Sequence, residues 1–100
     1  MKCRRFTPAA RADLLGIWDY IAARNVAAAD RVAAAISLAT RRLARTPQIG
    51  QLRPDLAPDT HRFLTVRPYL VVYRVTDDAI EILRGLRGAR NVRRVLAEEE

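Results

Sequence analysis

The sequence predicts an α+β fold in which an N-terminal strand and a two-helix hairpin pack on a small antiparallel sheet, in the order β-α-α-β-β-β-α. Two observations predict this class. Apolar residues recur at spacings of three and four in the first half of the chain, which is typical of amphipathic helices. The second half is rich in β-branched and aromatic residues separated by short turn segments, which indicates antiparallel strands.

Length and composition limit what the protein can be. A chain of 100 residues, 50% of them hydrophobic, has room for one modest core, so residues 1–100 are expected to form a single domain. With one cysteine and one histidine we expect no intrachain disulfide, no metal site and no cofactor. No apolar run has the length of a signal peptide or a membrane span, so a cytoplasmic location is expected. The net charge of +7 favours a polyanion or an acidic protein as partner.

Residues 1–6 are predicted to form the first strand. Thr7 and Pro8 then provide an N-cap and a first-turn proline for a helix over residues 8–24. Asn25 can cap a second helix over residues 26–45. The arginines near the end of that helix complement the negative end of the helix dipole, which is the simplest explanation of their position; they are Arg41, Arg42 and Arg45.

Prolines and glycines over residues 46–60 indicate a loop. Three strands are predicted at 61–66, 69–75 and 79–86, and their short connections require antiparallel neighbours. A short helix over 89–97 ends the chain. The middle strand is apolar on both faces, although antiparallel sheets usually leave one face polar. This pattern suggests that one face of the sheet is left uncovered and binds a partner.

Catalytic groups are scarce in this sequence. Metal-free cleavage of RNA needs a general acid, a general base and cations on the phosphate. Arg62, Arg74 and Arg84 could supply the cations, but His61 is the single histidine and has no visible orienting partner. The GXXG motif at residues 85–88 follows a strand, whereas the RNA-clamping motif of KH domains joins two helices. Binding is therefore favoured over catalysis.

Four short segments occur in an order that is similar to a known family: FTPAA at 6–10, IWDYIA at 17–22, YLVVYR at 69–74 and ILR at 82–84. Together they resemble the ParE-like toxins of bacterial type II toxin–antitoxin systems, within the ParE/RelE superfamily. The resemblance extends over nearly the whole chain, and no single segment carries it.

The resemblance implies a toxin that shares its fold with RelE-type ribosome-dependent messenger-RNA endonucleases but that, in the ParE branch, inhibits DNA gyrase by binding. RelE-like enzymes commonly carry a tyrosine or histidine near the C-terminus, and residues 88–100 contain neither. A RelE-like endonuclease remains the alternative. We expect the target-binding surface on the last strand and the helix after it, at Arg84, Leu86, Arg87, Arg90, Arg93 and Arg94.

The same resemblance implies a cognate ParD-like antitoxin whose acidic, amphipathic segment wraps the toxin in a hetero-oligomer. Sequence-specific DNA binding would then belong to the antitoxin, and no membrane is involved. Charge and apolar surface on this chain would complement such a segment. Its contacts are expected on the helix hairpin and the middle strand, at Leu14, Trp18, Ile21, Tyr69, Val71, Tyr73 and Arg74.

Overall fold

The computed structural model describes residues 2–57 and 60–98, without the side chains of Ala89 and Arg90. The predictions for Met1, Pro58, Glu99 and Glu100 lie outside the described residues. Within that part of the chain the elements are β1 (Cys3–Phe6), α1 (Pro8–Ala22), α2 (Val26–Arg45), β2 (Gln51–Leu52), β3 (Arg62–Val66), β4 (Tyr69–Val75), β5 (Ala79–Arg87) and α3 (Gly88–Glu98).

Both long helices begin at the predicted caps. The Thr7 hydroxyl accepts the Ala10 N–H at 3.1 Å, and the Asn25 side-chain oxygen accepts the Ala28 N–H at 2.9 Å. Each bond satisfies a backbone donor that has no partner inside its helix. Helix α1 ends at Ala22, two residues earlier than predicted, because the chain turns there to place Asn25 as the cap of α2.

The five strands form one sheet in the order β1-β5-β4-β3-β2. The pairs β3–β4 and β4–β5 are antiparallel, as predicted. The pair β2–β3 is also antiparallel, and β1 pairs with β5 in parallel. The predicted α+β fold is confirmed, and the sheet is mixed. Because two helices separate β1 from the other strands, no tight turn forces it to be antiparallel. The two-residue strand β2 lies in the predicted loop and is too short to have a periodic signal.

The sheet separates two apolar clusters. On one face, α1 and α2 cover Val71 and Tyr73 of β4 together with Ile80 and Ile82 of β5. On the other face, the side chains that cover Val72 belong to α3 and to the loop before β3; they are Val92, Leu96, Leu56 and Ala57. The expectation that one face of the sheet is left open for a partner is therefore wrong, because α3 and the loop before β3 cover that face.

Tyr73 anchors the loop between α2 and β2 to the core. Its side chain is fully buried, and its hydroxyl donates to the Pro47 carbonyl at 2.8 Å and accepts the Gly50 N–H at 2.8 Å. A Cβ at Gly50 would overlap the Tyr73 ring, so glycine is required at this close approach. Burial raises the pKa of the Tyr73 hydroxyl, which keeps the donor protonated.

We expect Tyr73→Phe to lower the free energy of unfolding by about 2 kcal/mol, because the buried Gly50 N–H loses its acceptor while the ring keeps its shape. Urea unfolding followed by circular dichroism measures the change. Tyr20→Phe is the matched control, since Tyr20 is 61% exposed, and should change stability by less than about 0.5 kcal/mol. Equal effects of the two substitutions would contradict the fastening role of Tyr73.

Candidate functional site

The last strand and the last helix meet at a sharp turn. Gly88 has a φ of 81°, a conformation that glycine adopts without strain, and it lets α3 begin directly after β5. The Asn91 side-chain amide donates to the Arg87 carbonyl at 2.7 Å and fixes the first turn of α3 on the end of the strand. Arg87 is thus a strand residue, and its side chain is exposed.

Helix α3 presents arginines to solvent while its apolar side packs on the sheet. Val92 and Leu96 are buried, whereas Arg93 and Arg94 are exposed. Arg93 approaches the Asp55 carboxylate at 3.6 Å, and at this exposed position the pair contributes little to stability. We call Arg87, Arg93 and Arg94 the C-terminal basic edge.

Arg84 is held inside the molecule by α1. Its Nε lies 2.7 Å from Asp13 Oδ2 and its Nη2 lies 2.9 Å from Asp13 Oδ1, a bidentate pair. The side chains of Arg84 and Asp13 are 19% and 12% exposed. Asp13 also accepts the Gly85 N–H at 3.1 Å, where β5 continues beyond Ile82, its last residue paired with β1.

The predicted target-binding residues thus fall into different environments. Arg87, Arg93 and Arg94 are exposed together at the β5–α3 junction. Leu86 is half-buried against the cluster beneath α3. Arg84 is paired with Asp13, and the side chain of Arg90 lies outside the described part of the structure. The exposed surface at this junction is narrower than the predicted one.

Most of the residues predicted to contact an antitoxin line the core instead. Tyr69, Val71 and Tyr73 are buried, and Leu14 and Ile21 pack against them from α1. Helical spacing of apolar residues identifies the buried side of a helix, so the same pattern that selected these residues also explains why they are covered.

Two of the predicted antitoxin contacts reach the surface. Trp18 is half-buried, and its indole N–H donates to Asp30 of α2 at 3.0 Å, which ties the two helices together. Arg74 is exposed on β4 and pairs with Glu81 of β5.

The cations considered for phosphate chemistry have separate partners. Arg62 donates to the Gly50 carbonyl at 3.0 Å, Arg74 pairs with Glu81, and Arg84 pairs with Asp13. The Nδ1 atom of His61 lies 3.0 Å from the Thr60 hydroxyl. Three guanidinium groups directed at three different elements do not form a common phosphate site.

A second basic surface was not predicted from the sequence. Lys2 and Arg4 of the first segment lie across a groove from the arginines at the end of α2. We call it the β1–α2 groove; its lining residues are Lys2, Cys3, Arg4, Leu38, Arg41, Arg42, Ala44 and Arg45. The arginines were visible in the sequence, but only the pairing of β1 with β5 brings the N-terminal cations beside them.

The family model for the ParE toxin of the type II toxin–antitoxin system, parDE, matches residues 4–92. A solved structure described as the chromosomal ParDE TA system from P. aeruginosa is 30% identical, with a TM-score of 0.74, and the match covers 88% of this chain and 97% of that chain. The chain is therefore a toxin of a type II toxin–antitoxin system. It belongs to the ParE toxin family.

Two further comparisons add context. The solution structure of the conserved hypothetical protein HP0894 from Helicobacter pylori is 17% identical with a TM-score of 0.40, over 87% of this chain and 94% of that one. No curated protein matches the sequence. In the described part of the chain, no helix is long and apolar enough to cross a membrane.

We expect Asp13→Ala to lower the free energy of unfolding by about 3 kcal/mol, because it leaves the Arg84 guanidinium largely buried without its carboxylate and removes the acceptor of the Gly85 N–H. Urea unfolding measures the loss. Asp19→Ala removes an exposed carboxylate from the same helix and should change stability by less than about 0.5 kcal/mol. A stability of Asp13→Ala equal to that of the control would show that the ion pair is dispensable.

Proposed function

We propose that this toxin inhibits DNA gyrase by binding to it in the cytoplasm and that a ParD-like antitoxin neutralises it. Membership of the ParE family supports the toxin class. The observation that carries the mode of action is the C-terminal basic edge: Arg87 and Arg94 are exposed, and neither pairs with a carboxylate in the described part of the chain. A surface of this kind binds an acidic protein patch and needs no reacting group.

Its geometry suits an interface. Arg87 ends β5 directly before α3, and the Asn91 side chain donates to its carbonyl. Asn91 and Arg94 are three residues apart, so they share one side of the helix. Arginine is enriched at the energetic centres of protein interfaces because its planar guanidinium makes several hydrogen bonds at once. The buried side of α3 holds the helix on the sheet through Val92 and Leu96.

Action by binding is supported by the state of the candidate catalytic groups. Each of Arg62, Arg74 and Arg84 is engaged by its own partner. Tyr73 is enclosed, and burial raises the pKa of its hydroxyl, so it is poorly suited to act as a base near neutral pH. The sheet face opposite the helix hairpin is packed with apolar side chains in the described residues.

Neutralisation by an antitoxin is supported by the net charge of +7 and by the solved relative, which is described as a chromosomal ParDE system. Trp18 is half-buried and Arg74 is exposed, so two of the positions predicted for this partner keep surface that it could contact. An acidic segment that covers them would also offset part of the positive charge. Such a segment would order on the toxin and release it when degraded.

The double variant Arg87→Ala/Arg94→Ala should raise the toxin concentration needed for half inhibition of gyrase supercoiling by about tenfold or more, equivalent to about 1.4 kcal/mol of binding. Both side chains are exposed, so the fold should be retained. Arg31→Ala/Arg67→Ala removes the same number of exposed charges elsewhere and should inhibit like the unchanged toxin.

Two results would contradict the proposal. If both double variants inhibit equally, the C-terminal basic edge is not the target surface. If the purified toxin leaves supercoiling intact but cleaves messenger RNA on ribosomes, the RelE-like endonuclease function replaces gyrase inhibition.

A further inference from the structure

A cleft of about 490 Å³ lies between α1 and the end of β5. We call it the α1–β5 cleft; its sides are formed by Ala12, Gly16 and Tyr20 of α1 and by Tyr69, Gly85 and Arg87 of the sheet. Its volume falls in the range of about 300–1,000 Å³ that is typical of pockets that bind a ligand. The cleft shares Arg87 with the C-terminal basic edge and shares no residue with the β1–α2 groove.

The inner part of the cleft is apolar, and the fold leaves its space unfilled. Tyr69 is 7% exposed, and Ile17 packs against the same core cluster from α1, so both present apolar surface to the cleft. Gly16 adds no side chain, and a Cβ built there would contact nothing within 4 Å. Glycine disfavours a helix interior, and a larger residue would fit here without a clash. The packing of α1 therefore does not require this glycine, and the cleft is space that the chain does not fill.

Tyr20 forms the outer side of the cleft. It is four residues from Gly16 and therefore lies on the same side of α1. The ring is 61% exposed, and the Arg24 guanidinium lies 5.3 Å from its centre, a distance typical of a cation–π contact that covers one face. Tyrosine is enriched in protein interfaces because its ring is apolar and its hydroxyl can bind water or a partner. Tyr20 belongs to neither buried cluster of this chain, so its exposed surface is available to another molecule.

Unpaired positive charge at the cleft comes from Arg87. Asp13 also lines the cleft, but its carboxylate is paired with Arg84. Arg87 forms no ion pair with a carboxylate in the described part of the chain. The Gly85 N–H donates to Asp13, away from β4, and the pairing of β1 does not reach this part of β5. Because backbone groups alternate along a strand, the Arg87 N–H points to the same side as the Gly85 N–H. The cleft thus offers an anion two donors from one residue.

Shape and charge select the occupant. The outer side of the cleft is open, since four of its lining residues are exposed: Ala12, Gly16, Tyr20 and Arg87. A small ligand would keep much of its surface in water there, whereas ligand pockets bury most of their ligand. A nucleic acid would bring several phosphates to one unpaired cation, and Arg24 already covers one face of the ring on which a base would stack. A second copy of this chain would add its own charge of +7, which is repulsive. An apolar side chain of an acidic protein meets these conditions, because the rest of that protein covers the open side.

We propose that the α1–β5 cleft receives an apolar side chain of the target protein and that a neighbouring carboxylate of the target binds Arg87. The identity of the target as gyrase rests on the proposed function, whereas the chemistry of the bound segment rests on the cleft alone. The target surface then extends from the exposed arginines of β5 and α3 to the free side of α1. A buried apolar anchor beside a charged contact is typical of the residues that carry most of the binding energy of an interface.

Gly16→Leu fills the cleft from α1 itself. Leucine favours a helix more than glycine does, and the space over Gly16 accepts it, so the variant should fold like the unchanged toxin. It should raise the toxin concentration needed for half inhibition of gyrase supercoiling by about tenfold or more, because the target's side chain can no longer enter. Ala34→Leu is the matched control, since Ala34 is exposed on α2 and lies outside the cleft; it should inhibit like the unchanged toxin. Circular dichroism checks the fold of both variants. Equal inhibition by the two would overturn the proposal.

A peptide tests the chemistry of the cleft without gyrase. The probe is a short peptide with both ends capped, in which glutamates flank one phenylalanine, and its binding to the ¹⁵N-labelled full-length toxin is followed by NMR. The amide signals of Gly16, Gly85 and Arg87 should shift in a saturable way. Gly16→Leu and Arg87→Ala should each raise the Kd by about fivefold or more, and Ala34→Leu should leave it within about twofold. A peptide with glycine in place of phenylalanine should not bind.

Two results of the titration would contradict the proposal. Absence of binding, or signal shifts confined to residues outside the cleft, would show that the cleft does not take an acidic, apolar segment. Tighter binding of a single-stranded oligonucleotide at the same amides, with a steep dependence on salt, would assign the cleft to nucleic acid instead.

Failure of the cleft assignment is distinguishable from failure of the proposed function. Peptide binding is measured without gyrase, and Gly16→Leu leaves the arginines of the C-terminal basic edge unchanged. If the toxin inhibits gyrase while Gly16→Leu has no effect and the peptide does not bind, only the cleft assignment is overturned. If the peptide binds in the cleft and Gly16→Leu abolishes that binding, but gyrase remains active with the unchanged toxin, only the target is overturned.

Discussion

The structure depends on one constraint, the two-sided apolar character of β4. Val71 and Tyr73 face the helix hairpin and Val72 faces the opposite way, and all three are at most 1% exposed. Because side chains alternate along a strand, no single layer can bury both sets. The chain therefore needs a packing layer on each face of the sheet. The hairpin of α1 and α2 supplies the first, and α3 with the loop before β3 supplies the second.

Covering both faces determines where interactions can occur. The centre of the sheet is enclosed within the described residues, so polar chemistry is displaced to its edges. β5 extends beyond the last residue that pairs with β1. In that unpaired part of the strand, the Asp13 carboxylate accepts the Gly85 N–H and pairs with the Arg84 guanidinium. Beyond that point the exposed arginines of the β5–α3 junction begin. β1 is the edge strand of the sheet and lies beside α2. The cations of the β1–α2 groove have no carboxylate partner among the described residues.

Sequence reasoning predicted the elements well because their signals are local. Caps at Thr7 and Asn25, helical spacing in α1 and α2, and short turns between β3, β4 and β5 depend on near neighbours in the chain. Site residues were harder to predict because an arginine looks the same whether it binds a partner or a neighbouring strand. Arg84 and Arg87 were both assigned to the target surface, yet Arg84 is paired with Asp13 and Arg87 is exposed. Buried aromatic residues such as Tyr73 were likewise assigned to a partner before their own cover was known.

By itself, the sequence determined the class of fold, the order of its elements apart from the two-residue β2, the excess of positive charge and the apolar nature of both faces of β4. Tertiary structure alone decided what covers each face, which arginines remain unpaired and that β1 joins β5 in parallel. The physical reason is the distance along the chain over which each kind of interaction acts. Capping and periodicity act over a few residues, whereas burial and ion pairing depend on contacts between segments such as Asp13 and Arg84, which only the assembled chain brings together.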